Sequence, residues 1–178
     1  MLFVPLSSDG ASAGESQPDA CSLLAKSDVA SIQGEPVTQA KASERRSSGL
    51  ITSQCFYVTP IFAKSVNLTL IRRDPSSRER YGAAQFWRER FHPRAPEQKR
   101  AGAGEPDEER ERSEPRPLQG VGDEAFWVAD RVAAALYVLS GETVVRISLG
   151  SADPDAERLR KARALAGKVL ARLKSAPR

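Results

Sequence analysis

Between residues 94 and 117 the chain runs through Gly, Pro, Glu and Arg with no apolar face to bury. A stretch of that makeup gains too little from burial to offset the entropy of ordering it, so it reads as a solvated loop or disordered insertion. Any hydrophobic core must then come from the sequence on either side. The chain has 178 residues, 40% of them hydrophobic and 28% charged, which suits one globular domain and hardly two. With the first 20 residues set aside as a leader remnant or tail, and the insertion removed, about 135 of the 178 remain, nearly all within a single domain at residues 21–174, enough for one core.

The apolar periodicities outline the elements. Leu24 to Gln33 reads as a short helix, with Leu24 and Val29 as a hydrophobic staple and Gly34 as a left-handed stop. Val37 to Ala42 reads as a polar edge strand and Ile51–Val58 as a better one. Ser65–Ile71 alternates, with Val66, Leu68 and Leu70 on one face. Tyr81 to Phe91 reads as a helix with Ala84, Trp87 and Phe91 on its buried side, ended by Pro93. From Glu124 onwards a meander is expected, with strands at Ala125–Ala129, Ala134–Leu139 and Thr143–Leu149. The last helix is expected to be capped by Asp153 with Pro154 at its first position. Its apolar stripe would be Leu159, Ala162, Ala166, Val169, Leu170 and Leu173, with Arg158, Lys161, Lys168, Arg172 and Lys174 largely off it. This order predicts one α+β domain, an antiparallel sheet of five to six strands covered by about three helices.

The compartment is read from the N-terminus and the cysteines. An apolar run, Met1 to Leu6, precedes Ala11-Ser12-Ala13-Gly14, and small residues in that spacing suit signal-peptide cleavage. A basic leader and a longer apolar core are missing, so the expectation is an incomplete signal peptide ending at Ala13; the alternative is an ordinary Ser/Gly-rich terminus. Cys21 and Cys55 border elements that read as ordered, and they are either bridged or two buried free thiols. A bridge closing a loop of about 35 residues would remove roughly 3–4 kcal/mol of chain entropy from the unfolded state and would fit an oxidising compartment. Two cysteines and the single His92 do not make a metal site, and no cofactor is expected. No run of 18 apolar residues occurs, so no membrane-spanning helix is expected.

Gly120-Val121-Gly122-Asp123-Glu124-Ala125-Phe126-Trp127 is the most distinctive stretch. A phosphate cradle needs a helix after its glycines. Here a strand follows, so a tight turn into the sheet is expected, with Asp123 as a turn acceptor and Glu124 as a solvated charge. His92 beside Pro93 reads as a helix-end charge partner or a plain surface residue, and no Gly-x-Ser-x-Gly elbow accompanies it, so no catalytic group is assigned. On a strand, Phe126 and Trp127 must face opposite ways. If helices cover only one face, one of the two becomes a candidate contact residue.

Four segments together resemble a group of uncharacterised bacterial exported proteins. These are Cys21-Ser22-Leu23-Leu24 opening a helix, Gly34 ending it, a Cys55-Phe56-Tyr57 strand, and Gly120 to Phe126. The resemblance covers residues 20–173 and implies that Cys21 pairs with Cys55 and that the Gly-Asp-Glu-Ala-Phe turn leads into the C-terminal meander. It brings no activity. The expected function is a non-catalytic extracytoplasmic binding or accessory domain, periplasmic or secreted, for an envelope protein or ligand. The alternative is a small basic protein touching nucleic acid through its C-terminal helix. The net charge of +4 lies in residues 153–178, which hold eight basic and three acidic side chains. Nucleic acid is not the expected partner, because an apolar stripe commits one side of that helix to packing.

Overall fold

A computed structural model describes residues 18–93, 114–130 and 133–175. The first 17 residues, with the signal-peptide reading, and most of the charged insertion, residues 94–113, lie outside the described residues.

The fold is α+β around one antiparallel sheet of seven strands. Strands β1 (Gln39–Ser47), β2 (Leu50–Val58) and β3 (Val66–Arg73) form one meander. Strands β4 (Arg116–Leu118), β5 (Glu124–Ala129), β6 (Ala133–Ser140) and β7 (Thr143–Gly150) form the other. The order β1-β2-β3-β7-β6-β5-β4 joins the two along β3 and β7, where Leu68 pairs with Ile147. The helices are α1 (Ala20–Leu23), α2 (Lys26–Gln33), α3 (Ala83–Phe91) and α4 (Asp155–Ser175). No helix among the described residues is long and apolar enough to cross a membrane.

The strand count exceeds the five to six expected, because the end of the presumed insertion pairs: Arg116 lies opposite Trp127 and Leu118 opposite Ala125. Pro117 fits there since β4 is an edge strand, where a missing N–H costs little. Strand β1 extends to Ser47, well past Ala42. Its polar residues Ser43 to Arg46 have little strand preference of their own, but β2 provides a template along the whole length. Ser48 (φ 51°) and Gly49 (φ 74°) form the two-residue turn between them, both in the left-handed region that such hairpins use.

Helices cover both faces of the sheet, where the sequence suggested one. The inner face carries the main core: Cys55, Tyr57, Leu68, Leu136, Val138 and Ile147 pack under α1, α2 and α4. The outer face carries a smaller cluster of Ile71, Phe126, Ala135, Tyr137 and Val144 beneath α3. Within α3 the buried small residue is Ala83, one position before the Ala84 expected; Ala84 is exposed.

Helix α4 buries more than its expected stripe. Leu165 is fully buried, and Arg158 and Lys161 are buried with it, because the helix lies across a sheet wider than a single apolar stripe covers. Lys161 places its ammonium 2.8 Å from Asp153, so the residue expected as a helix cap serves as an ion-pair partner. At the helix start the Pro154 carbonyl accepts from the amides of Glu157 and Arg158, both at 3.0 Å.

A disulfide links Cys21 to Cys55, with their Cα atoms 5.0 Å apart. It ties α1 to the middle of β2, and neighbouring bonds support the junction. The Ala20 amide donates to Ser53 Oγ at 3.0 Å, and the Tyr57 hydroxyl donates to the Leu24 carbonyl at 2.6 Å. Burial, with Asp19 nearby, pushes the Tyr57 phenol up to about 12. Ala20 is fully buried, so the ordered fold begins before residue 21.

Candidate functional site

The residues singled out in the sequence have structural positions. Trp127 faces the inner side, is 2% exposed and donates from Nε1 to Asp155 Oδ1 at 2.9 Å. Phe126 faces the outer side and is 8% exposed. It stacks on Phe91 with ring centroids 4.5 Å apart and meets Trp87 at 5.8 Å. With α4 over one face and α3 over the other, neither ring is presented to a partner.

Gly120 and Gly122 adopt φ values of 77° and 63° and form the expected turn. A side chain at Gly122 would collide with Val138 and the Leu139 carbonyl, so the position also needs glycine's small size. Asp123 accepts from the Gly141 amide at 2.6 Å, which fastens this turn to the β6–β7 hairpin. Glu124 differs from the solvated charge expected. Its carboxylate accepts from Trp87 Nε1 and lies 2.7 Å from His92 Nε2, so it pins the end of α3 onto β5. His92 thus meets Glu124 at the end of α3, 32 residues away in sequence.

Among the described residues, the outer face beyond α3 is an exposed surface with shape and chemistry. An open groove of about 790 Å³ runs between that helix and the β1–β2 hairpin. Its floor includes Ser43, Arg45, Thr52 and Gln54, and its wall includes Tyr81 and Phe86. Alternation explains the polar floor. On β2 the odd-numbered residues Ile51, Ser53, Cys55 and Tyr57 are buried inward, so Thr52, Gln54 and Phe56 are left on the outside. Tyr81 is held in the wall by donating to Glu89 Oε2 at 2.6 Å. That bond holds the phenol up at about 12 and the Glu89 carboxyl below its usual range. At the far end of the same face Phe62, 75% exposed, leans on Phe56 with centroids 6.1 Å apart.

The outer face of the sheet continues beyond the groove. Register aligns Ser43, Gln54, Thr69, Arg146 and Tyr137 in one cross-strand row, and Lys41, Phe56, Asn67 and Ser148 in the next. No signal in the sequence marks these residues as neighbours, since Thr69 and Arg146 belong to different meanders. Among the described residues no group of three or more His, Cys, Asp or Glu is placed to hold a metal ion.

No family model matches the chain, and neither a curated protein nor a solved structure does.

Proposed function

We propose that the protein is a non-catalytic binding or accessory domain of an extracytoplasmic compartment, periplasmic or secreted, with the outer face of its sheet as the binding surface. The observation that carries this reading is the Cys21–Cys55 bridge, since a bridge at the centre of a fold persists where the surroundings are oxidising. The resemblance to bacterial exported proteins points the same way. The open groove supports a binding role, because inner-face residues are committed to packing while the floor of the groove is polar and accessible.

Nucleic-acid binding through α4 draws less support. Of its basic side chains, Lys168 and Arg172 pair with Asp28, Lys161 with Asp153, Arg160 with Glu157 and Arg158 with Asp155. Arg163 and Lys174 remain for a phosphate, too few for strong electrostatic binding.

Fractionation with thiol titration tests the proposal. The protein is expected outside the cytoplasm, with no titratable thiol until it is reduced and two afterwards. Recovery from the cytosol with two free thiols would overturn the compartment. Tight, steeply salt-dependent DNA or RNA binding would promote the alternative.

A further inference from the structure

The two edges of the sheet are finished differently. Strand β4 closes one edge with three residues and carries Pro117, which has no amide to offer a further strand. Strand β1 forms the other edge with nine residues, Gln39–Ser47, in unbroken register with β2 and without a proline. Ala40 is half-buried and the rest are exposed. The two-residue turn at Ser48 and Gly49 makes Ser47 and Leu50 a hydrogen-bonded pair, and such pairs recur at every second residue. The N–H and C=O groups of Ala40, Ala42, Glu44 and Arg46 therefore point away from the sheet. Among the described residues no strand pairs with them.

Charge on this edge is sorted by face. On the inner side Glu44 accepts from Arg46 Nε at 3.2 Å, and Arg46 also lies 3.5 Å from Asp74, so each has a partner. The outer side carries Gln39, Lys41, Ser43, Arg45 and Ser47 and no acid. Lys41 and Arg45 are exposed and enter no ion pair among the described residues. Ser43 and Arg45 also line the open groove, whose wall is Tyr81 and Phe86. A strand added along β1 would set its own alternate side chains beside this row, on the groove's side of the sheet. A second copy added antiparallel about a two-fold axis matches the row with itself and brings no acid to Lys41 or Arg45 in any register. An extended segment with acidic residues on one face does.

We propose that β1 is a docking edge for an extended segment of a partner protein, which adds to the seven-stranded sheet as a further strand and turns acidic side chains towards Lys41 and Arg45. The outward amides and carbonyls supply affinity without regard to sequence, and the two cations select the acid. The proposal rests on the reading of this domain as a binding module and names the kind of partner it takes. It fails separately from the compartment, which thiol titration decides.

The test is amide hydrogen exchange followed by NMR on the full chain, alone and with a millimolar synthetic peptide of β1's length that alternates threonine and glutamate. In the free chain the amides of Ala40, Ala42, Glu44 and Arg46 are expected to exchange fast, and those of Lys41, Ser43 and Arg45 more slowly. With the peptide, exchange at the first four is expected to slow by about tenfold or more. A peptide with lysine in place of glutamate is expected to bind about tenfold more weakly. The double variant Lys41→Gln/Arg45→Gln should lose about the same factor towards the glutamate peptide. Both side chains are exposed, so this variant is expected to keep the wild-type amide spectrum away from β1. Slow exchange of the first four amides in the free chain would mean that the edge is already covered, by the chain itself or by a second copy, and would overturn the proposal. So would an absence of protection at millimolar peptide, or equal binding of the two peptides.

Discussion

The two faces of the sheet are built from the same strands and answer to different chemistry. On the inner face, Leu68, Leu136, Val138, Ile147 and Leu165 are fully buried, a disulfide crosses the layer, and the Tyr57 hydroxyl and Trp127 indole both find partners. On the outer face the aromatic cluster stops at the edge of α3, and beyond it lie Thr52, Gln54, Asn67, Thr69, Arg146 and Ser148, several of them unpaired. One face supplies stability; the other keeps polar groups that a purely structural surface would pair or replace.

Substitutions can break this contrast. Leu165→Ala removes a fully buried side chain from the inner layer and should cost about 3 kcal/mol of unfolding free energy, measured by urea denaturation. Thr52→Ala in the groove should fall within about 0.5 kcal/mol of wild type in the same measurement. Equal costs at the two positions would erase the division between the faces. Replacing both Cys21 and Cys55 by Ala should cost about 3 kcal/mol, with loss of the resistance to unfolding that vanishes in wild type on reduction.

A smaller effect sharpens the inner side. Asp28 is 13% exposed and accepts from Arg172 at 2.7 Å and Lys168 at 3.0 Å. Burial pushes its carboxyl up, but the hydrogen bonds from Arg172, Lys168 and the Ala25 amide outweigh that and hold it below the usual range. A carboxyl depressed in the folded state stabilises the fold above its unfolded value. That contribution is lost as pH falls through the lower folded value. Asp28→Asn should therefore cost about 1 kcal/mol at neutral pH, and the gap to wild type should close as the pH drops below about 4. A gap constant from pH 7 to pH 3 would assign the cost to packing instead.

Much of the inner face was legible from residue order. Leu68 and Leu70 on one side of β3, Val145 and Ile147 on one side of β7, and Gly34 after α2 each follow from local periodicity or backbone freedom. The cysteines pointed to the bridge because both bordered ordered elements. Elements that rely on a neighbour were hidden. The second half of strand β1, past Ala42, has no apolar alternation to betray it, and three-residue β4 contains a proline. The burial of Arg158 and Lys161 depends on the width of the sheet under α4, and no helical period encodes that. The polar row of Asn67, Thr69, Arg146 and Ser148 was hidden most deeply, because it exists only where β3 meets β7, joining residues more than seventy positions apart.

The central claim is that the outer face keeps unpaired polar groups at some cost to the fold, and the sign of one stability change tests it. Thr69→Val keeps the shape of a β-branched side chain and deletes the buried, unpaired hydroxyl. In ligand-free protein its urea midpoint should equal or exceed that of wild type, by up to about 1 kcal/mol in free energy. A loss of about 1 kcal/mol or more would mean that the hydroxyl is already satisfied within the folded protein, and would contradict the account.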